Sequence, residues 1–361
     1  MAKRMIQVGT GGWGGAWCRQ FLPANIADGT IEVVAAIDAN PDALVNAREG
    51  LNLRSDQCFT DLKKAFDAVR ADICTVVVPP AIHETVVDLA LQHEMHILSE
   101  KPIADTLEGS VRIAQKVASA GAKMGVTMSH RFDADKSTMR QHLRSGDGGR
   151  LDYLVCRFTC DCRRFASWGK FRHEMHDPLL IEGAVHHLDI LSDLAGSRCA
   201  TIYADSWNPA WGEYRGDSQA LVTMRMENGV RATYEAAKTN AVGLNGWTNE
   251  YIRAEREKET LILDRRHIER FAYDPDRTWR AEHEGVGVVV PLIEQKKWAN
   301  TWLIEKFVRW IEGGPPMETD VESNLQSVAM VFAAIESSRT GAPVNVQRML
   351  ASARADANGR I

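Results

Sequence analysis

The stretch VGTGGWGG, residues 8–15, decides how the first third of this chain is expected to fold. It follows a short apolar run at residues 5–8 that is typical of a buried strand, and it precedes residues 16–22, whose spacing predicts a helix. The G-x-G-x-x-G pattern gives a tight turn, lets a pyrophosphate approach the backbone and allows close packing of helix on strand. Amides at the start of the helix then bind the anion. The turn is therefore predicted to bind a dinucleotide through Gly9, Gly11, Gly12, Trp13 and Gly14.

An acidic residue completes this pattern. Residues 31–37 predict a second strand that ends at Asp38, about twenty residues after the glycines, where a carboxylate accepts hydrogen bonds from an adenosine ribose. The same carboxylate repels the 2′-phosphate of NADP, and no arginine follows in residues 39–41 to neutralise that phosphate. The sequence therefore predicts NAD as the cofactor. The alternative is that Asp38 only caps the next helix.

Strands and helices alternate from Asp38 to about residue 130, and this alternation predicts a doubly wound parallel sheet, a Rossmann fold. Past the sequence GDGG at 146–149 the pattern changes to long alternating segments, which predict an open, mostly antiparallel sheet. The predicted segments are 151–163, 218–226, 230–238 and 250–263, with a hairpin turn at 227–229, and the predicted helices are 178–194, 292–312 and 321–339. We expect an NAD-binding domain at 1–130 and an α+β substrate and oligomerisation domain at 131–361, whose closing helices are candidates to pack back on the first domain.

Composition narrows the class of protein. The chain has 361 residues, 45% of them hydrophobic, and a formal net charge of −5, so it is long enough for two cores and gives no electrostatic reason to expect nucleic acid or an anionic membrane as partner. No apolar run reaches the length of a membrane span, and the first strand begins almost at Met1, which leaves no room for a signal peptide. A cytoplasmic location is expected.

Metal binding is not predicted. The seven cysteines contain no C-x-x-C pair and are expected to be reduced thiols. Cys156, Cys160 and Cys162 share one face of a predicted strand, but no other cysteine cluster completes four ligands for a soft metal. The remaining candidate zinc ligands are His173, His176, His186 and His187. Their spacings do not match the zinc-binding pattern H-E-x-x-H.

Two elements carry residues suited to proton transfer. Lys101 follows a predicted strand of the first sheet, and ligands of such sheets bind outside the carboxyl ends of the strands. There a lysine has a physical reason to hydrogen-bond a reacting hydroxyl. On the helix that begins after Asp177, the positions of Glu182, His186 and Asp189 place all three on one helical face, where Glu182 is expected to orient the histidine ring.

These residues resemble the Gfo/Idh/MocA dehydrogenases, over essentially the whole chain. The resemblance rests on the glycine turn, Asp38, residues 76–80 with His83, the tripeptide 100–102, residues 131–132, the helix 182–189 and the run 337–344. It implies that Lys101, Glu182 and His186 are catalytic, and that Pro79, His83 and Glu100 join the cofactor site together with Lys101. Glu182 stands where the family usually has aspartate, and His176-Asp177-Pro178 replaces the usual glycine run, so the substrate of any one relative does not transfer safely.

The resemblance implies hydride transfer between NAD and a carbinol carbon of a sugar, polyol or glycoside, in a homodimer or homotetramer. Two alternatives remain open, an NAD-dependent oxidoreductive glycosidase with no net redox change and a non-catalytic NAD- or sugar-sensing protein. The presence of both Lys101 and His186 argues against a sensor. Donors and aromatic faces usually hold a polyhydroxylated substrate. The candidates for this role are Lys101, His130, Arg157, Arg163, Arg164, Trp168, His173, His176 and His186, with Trp207, Trp211, Trp247 and Tyr251 from loops.

Overall fold

The computed structural model describes residues 1–276 and 286–358. Its strands are β1 (Lys3–Val8), β2 (Ile31–Ile37), β3 (Cys58–Phe59), β4 (Ile73–Val76), β5 (His96–Ser99), β6 (Met124–Val126), β7 (Leu151–Thr159), β8 (Cys199–Trp207), β9 (Gln219–Met226), β10 (Arg231–Ala237), β11 (Tyr251–Arg256), β12 (Glu259–Asp264), β13 (His267–Ala272), β14 (Val288–Val289) and β15 (Val344–Asn345). Its α-helices are α1 (Gly12–Ala16), α2 (Leu22–Ala27), α3 (Leu44–Leu51), α4 (Leu62–Ala68), α5 (His83–Gln92), α6 (Leu107–Ser119), α7 (Ala134–Arg144), α8 (Lys170–Glu174), α9 (Val185–Ala195), α10 (Ala299–Ile311), α11 (Val321–Thr340) and α12 (Val346–Asn358). A π-helical turn, Trp17–Phe21, joins α1 to α2, and a second, Leu179–Ala184, leads into α9.

The described residues form two compact units. The first contains residues 1–129, 297–325 and 353–358, and the second contains the described residues of 130–296 and 326–352. No helix in the described ranges combines the length and the apolar character that crossing a membrane requires.

The first unit is built on a six-stranded sheet in the order β3-β2-β1-β4-β5-β6, with every neighbouring pair parallel. This confirms the predicted doubly wound sheet. All four residues of β4 are buried, as are Met5 to Val8 of β1. Strands this apolar need cover on both faces, which the helices between parallel strands provide.

The free edge of β6 is closed by a segment from much later in the chain. The Val126 amide donates to the Thr319 carbonyl (2.8 Å), the Thr319 hydroxyl donates back to the Val126 carbonyl (2.7 Å), and Gly125 forms an antiparallel bridge with Asp320. A Cβ at Gly125 would lie 2.8 Å from the sulfur of Met317, so glycine is what lets this segment approach. The edge is therefore paired within the unit.

The second unit is built on a nine-stranded sheet in the order β14-β13-β12-β11-β7-β10-β9-β8-β15. Its pairs are antiparallel except β7 with β10, so the prediction of a mostly antiparallel sheet is confirmed. Helix α7 packs on β12 and β13, and α9 packs on β7 and β10. Burial largely alternates along β10 and β12. The turn predicted at 227–229 joins β9 to β10.

Several predicted boundaries differ from the structure. The segment 250–263 is two strands, β11 and β12, with a turn between them. The helix predicted at 178–194 opens with a π-helical turn, and Asp177 does not cap it, since this carboxylate accepts instead from Arg339 (2.7 Å). The helix ends at Gly196, whose φ of 62° is typical of a glycine C-cap. The helix predicted from residue 292 begins only at Ala299.

Candidate functional site

The glycine turn has the shape that a diphosphate needs. A Cβ at Gly9 would lie 2.0 Å from the Val77 carbonyl oxygen, and one at Gly14 would lie 2.3 Å from the Gly9 carbonyl oxygen, so only glycine lets β1, β4 and α1 come this close. Gly12 has a φ of +49°, and a Cβ built on it meets nothing within 4 Å. Gly11 precedes α1 and has no side chain to accept from the first amides of the helix. These residues fit a bound pyrophosphate.

Asp38 supports the turn as well as carrying the expected charge. Its Oδ2 accepts from the Thr10 amide (2.7 Å) and the Gly11 amide (3.0 Å), and its Oδ1 accepts from the Asn40 amide (2.9 Å). The sequence predicted a ribose contact, with a helix cap as the alternative. In the structure this carboxylate fixes the backbone of the glycine turn.

Two indoles hold Glu100 at the end of β5. Its Oε1 accepts from Trp13 Nε1 (2.6 Å) and from Trp17 Nε1 (2.9 Å), and its Oε2 accepts from the Lys101 amide (3.3 Å). Glu100 is 7% exposed, so this carboxylate sits largely away from water. We call Trp13, Trp17 and Glu100 the indole clamp. It ties the first turns of the helix after the glycines to the strand end that carries Lys101.

His83 lies at the start of α5 and is fully buried. Its Nε2 lies 2.9 Å from the Val78 carbonyl oxygen and its Nδ1 lies 3.2 Å from the Ile103 carbonyl oxygen. His83 therefore braces two strand-end segments. Pro79 lies in one of these segments, and half-buried Lys101 follows β5.

In the second unit, His186 lies in the first turn of α9. Its ring stacks on that of His130, with centroids 4.3 Å apart and planes inclined by 12°. Glu182 lies in the preceding π-helical turn, and its Oε2 accepts from Arg172 Nε (2.9 Å). Asp189 accepts from Arg131 Nε (2.5 Å) and from the Ser327 hydroxyl (2.6 Å). The prediction that Glu182, His186 and Asp189 share one helical face assumed regular α-helical spacing. The π-helical turn that contains Glu182 interrupts this spacing.

A buried charged network lies beside His130. The Glu250 carboxylate accepts from Lys136 Nζ (2.6 Å) and lies 3.2 Å from His130 Nδ1 and 3.3 Å from His187 Nε2. Because a carboxylate only accepts, His187 Nε2 donates to it, and His187 Nδ1 accepts from the Tyr234 hydroxyl (2.7 Å). We call Lys136, Glu250, His130, His187 and Tyr234 the buried network.

The protonation states follow from these contacts. Burial lowers the pKa of His187 to about 4, so its ring is neutral at pH 7. Burial would raise the pKa of Glu250, but the Lys136 ammonium and then His130 outweigh it and hold that pKa well below its usual range. The network therefore contains an ionised carboxylate and an ammonium away from water.

Within the described residues, one group offers three closely placed atoms of metal-ligand type. It consists of His130, His187 and Glu250, whose ligand atoms lie within 4.8 Å of one another. The Lys136 ammonium contacts the same carboxylate and supplies positive charge there. This grouping differs from the histidine set weighed in the sequence.

Aromatic rings surround a second buried lysine. Lys238 Nζ lies 3.7 Å from the ring centroid of Trp168, 4.3 Å from that of Trp247 and 4.5 Å from that of Phe158. Trp247 also meets the ring of His186 edge-on at 6.0 Å. Trp168, a predicted substrate residue, therefore belongs to an aromatic cluster that reaches His186 through Trp247.

Three predicted substrate residues lie elsewhere in the second unit. Arg157 is on the exposed face of β7, paired with Glu235 (2.9 Å), while its neighbours in the strand are buried on the other face. Arg163 pairs with Asp161 (2.9 Å), and the side chain of His176 is exposed. Strand alternation explains why Arg157 lies on the exposed face, because odd and even positions of β7 face opposite sides of the sheet.

The first unit has a parallel sheet with a dinucleotide-binding turn, and the second has a histidine-bearing helix on an open sheet. This combination is typical of nucleotide-dependent oxidoreductases. The chain belongs to the Gfo/Idh/MocA family: residues 4–128 match the oxidoreductase family NAD-binding Rossmann fold, and residues 143–346 match its C-terminal α/β domain. The resemblance found in the sequence is thereby confirmed, and the first unit is an NAD-binding Rossmann domain.

Similar proteins and solved structures agree with this family assignment. The Sinorhizobium fredii protein y4oX, described as uncharacterized, is 54% identical over 358 residues, which is 99% of each chain. Inositol 2-dehydrogenase of Corynebacterium glutamicum is 29% identical over 64% of this chain and 67% of its own. An Agrobacterium radiobacter oxidoreductase, solved with NAD+, L-tartaric acid and magnesium, shares the fold with a TM-score of 0.81 at 18% identity, covering 97% of this chain and 100% of that one.

Proposed function

We propose that this protein is an NAD-dependent dehydrogenase that transfers a hydride between nicotinamide and a carbinol carbon of a sugar, polyol or glycoside. Family membership supports the reaction class, and the inositol 2-dehydrogenase relatives support a polyhydroxylated substrate. The charge of Asp38 beside the glycine turn supports NAD over NADP, because it repels a 2′-phosphate. NAD supplies the hydride acceptor when bound, held by the glycine turn and Asp38.

His186 is the proposed proton acceptor. The observation that carries this role is the stack of its ring on His130, which in turn contacts the ionised Glu250. A positive charge on His130 is stabilised by that carboxylate, and His186 lies directly against the same ring. The neutral His187 donates to the same carboxylate and holds it in place.

Lys101 and Glu182 complete the proposed set. Lys101 donates a hydrogen bond to the reacting hydroxyl oxygen and favours its loss of a proton. Glu182 is a positioning residue in the turn before His186, and its carboxylate is fixed by Arg172. The aromatic rings of Trp168 and Trp247 offer apolar faces to a sugar ring.

A first experiment decides the reaction class. Purified protein is incubated with NAD, NADP or neither, against free sugars, polyols and chromogenic glycosides, and reduced nicotinamide and released aglycone are followed separately. NADH formed without aglycone release is the expected result. Aglycone release without net NADH would move the protein to the oxidoreductive glycosidases, and sugar binding without either product would favour the sensor.

Two variants test the residues once a substrate is known. Lys101→Met and His186→Gln are each expected to lower turnover by about 10²–10⁴-fold while NAD still binds in a fluorescence titration. Lys116→Met and His267→Gln are the matched controls, because each side chain forms an ion pair that reaches solvent, with Lys116 38% and His267 56% exposed. Turnover within a few-fold of the parent in Lys101→Met would exclude the role of the lysine.

We further propose that the protein forms a homodimer or homotetramer through the uncovered face of the second sheet. That face carries exposed apolar side chains, with Tyr203 43% and Leu221 52% exposed, next to the pair formed by Arg157 and Glu235. An exposed apolar patch on a sheet is typical of an interface. Light scattering after gel filtration is expected to give a dimer or tetramer, and Leu221→Glu a smaller species. A monomeric parent would exclude this interface.

A cytoplasmic location is proposed on the state of the cysteines. All seven are free thiols, as expected in a reducing compartment. Fractionation of cells expressing the tagged protein tests the assignment, and recovery with periplasmic or membrane markers would refute it.

A further inference from the structure

Two cysteines are held side by side just beyond the end of β7. The Cys160 amide donates to the Ala237 carbonyl (2.9 Å), and the Cys162 amide donates to the Lys238 carbonyl (2.6 Å). Alternate residues of such an extended segment point to the same side. The two sulfurs lie 3.8 Å apart, and both residues are half-buried. The backbone therefore places this thiol pair, which does not depend on a flexible loop.

A buried ammonium lies next to the pair. Lys238, already described within its three aromatic rings, attracts negative charge on both sulfurs. The hydrogen bond from Cys160, and then Lys238, lower the pKa of the Cys162 thiol to about 6, against the effect of burial. The pKa of Cys160 is correspondingly raised, since its proton is shared with its neighbour. Negative charge on the pair is therefore favoured at the Cys162 sulfur.

The other cysteines lack this chemistry. Burial raises the pKa of Cys18 to about 12 and that of Cys199 to about 12, and it raises those of Cys58, Cys74 and Cys156 as well. A thiolate, not a thiol, is the reactive form of cysteine, and partly exposed thiolates near a cation are the reactive ones. Of the seven cysteines, all of which the structure describes, only Cys162 has a lowered pKa.

A metal site is the other chemistry that two cysteines suggest. A soft metal needs three or four ligands. In the described part of the chain, the only close group of three or more ligand atoms is the one that contains His130, His187 and Glu250, and neither cysteine belongs to it. The pair is therefore better suited to thiol oxidation than to metal binding.

We propose that Cys160 and Cys162 form a peroxide-reactive thiol pair that closes to a disulfide. The Cys162 thiolate attacks a peroxide oxygen, an S–O bond forms as the O–O bond breaks, and hydroxide leaves to become water. Cys160 then attacks the sulfur of the sulfenic acid and releases a second water as the S–S bond forms. Two thiols are oxidised by two electrons, and one hydrogen peroxide is reduced to two waters. This oxidation does not depend on the proposed hydride transfer.

The sequence makes the chemical test direct. Trypsin cleaves after Arg157 and Arg163 and releases the peptide FTCDCR, residues 158–163, which contains both thiols. Full-length protein is treated with limiting hydrogen peroxide, blocked with N-ethylmaleimide and digested. The peptide is expected to lose both maleimide labels and two hydrogen masses before any other cysteine changes. Two retained labels on this peptide, while other cysteines oxidise, would refute the proposal.

Variants separate the roles of the two sulfurs. Cys162→Ser is expected to leave Cys160 unoxidised, whereas Cys160→Ser is expected to stop at a sulfenic acid on Cys162 that dimedone traps. Cys58→Ser is the control, because Cys58 is half-buried like the pair but has a raised pKa. A sulfenic acid trapped on Cys160 in Cys162→Ser would contradict the assignment of the attacking sulfur.

The rate of alkylation gives an independent measurement on the unmodified protein. At pH 5.5, iodoacetamide is expected to label Cys162 about twentyfold faster than Cys58, since a larger thiolate fraction outweighs the lower nucleophilicity of a more acidic thiol. Lys238→Met is expected to slow this labelling, with circular dichroism confirming the fold. Equal labelling rates of Cys162 and Cys58 in the parent protein would overturn the proposal without any variant.

Discussion

Replacing Lys136 with methionine tests whether the buried network is held by charge. The ammonium lies 2.6 Å from Glu250, 3.3 Å from Asp135 and 3.4 Å from Asp133, and the lysine side chain is 2% exposed. Lys136→Met keeps the length of the side chain and leaves buried carboxylates without their cation. Breaking a buried pair in this way costs about 3–5 kcal/mol, because the remaining charge stays away from water.

The matched control is Lys116→Met on α6. Lys116 also contacts two carboxylates, Glu84 (3.0 Å) and Asp88 (2.7 Å), but its side chain is 38% exposed. Solvent screens such a pair, so its loss is expected to cost at most about 1 kcal/mol. In urea unfolding at pH 7.5, with a slope of about 2 kcal/mol per M, the midpoint should fall by about 1.5–2.5 M for Lys136→Met and by under about 0.5 M for the control.

The pH dependence separates charge from packing. In the parent, the pKa of Glu250 lies below its unfolded value, so its contribution to the free energy of unfolding is present above that value and is lost as pH falls. Without Lys136, the largest effect that opposes burial is gone, so the pKa of Glu250 is expected to rise and the carboxylate to take up a proton more readily as pH falls. The loss in Lys136→Met should therefore shrink between pH 7.5 and 5.5, and Glu250→Gln in the same chain should restore most of it. A loss equal to that of the control, or one unchanged with pH, would refute this reasoning.

Three further results are expected. Trp17→Phe should lower the free energy of unfolding by about 1.5–3 kcal/mol, because it removes a hydrogen-bond donor from the buried Glu100. Trp13→Phe should lower it less, and equal urea midpoints for the two variants would contradict this expectation. Asp38→Ala should weaken NAD binding about tenfold and reduce its preference over NADP in calorimetric titrations, and an unchanged preference would rule out its role. The pKa of His187 falls on folding, so about 3 kcal/mol of stability present above pH 6.5 should be lost towards pH 4, and His187→Gln should abolish that dependence in urea titrations.

The first unit was predictable because its information is local. Each strand is a short apolar run, and each turn carries glycine, proline or a capping side chain close to it in the sequence. Asp61 illustrates this, since it accepts from the Lys64 amide (2.8 Å) at the start of α4, three residues away. Right-handed connections between parallel strands then restrict the possible sheet orders.

The turns of the second sheet carried weaker signals. Arg265 and Arg266 both have positive φ, at 48° and 68°, and connect β12 to β13. Tight hairpin turns with positive φ usually contain asparagine or glycine, so two arginines gave no reason to predict a hairpin. The turn between β11 and β12 also lacks asparagine and glycine, and a single long segment was predicted there.

The buried network could not be predicted from spacing. Lys136 is 114 residues from Glu250, and His187 is 63 residues from it, so no local pattern links them. Glu100 presents a milder case. Two tryptophans four residues apart lie one turn apart on a helix, but their shared acceptor is more than 80 residues away.

The closing of β6 by Thr319 has a consequence for synthesis of the protein. Thr319 follows its partner Val126 by 193 residues, so a ribosome adding 5–20 residues per second exposes this edge for about 10–40 s before the covering segment exists. An unpaired strand edge invites pairing with other chains. Nascent chains released before residue 320 should therefore aggregate or recruit chaperones, even though all six parallel strands have already been made.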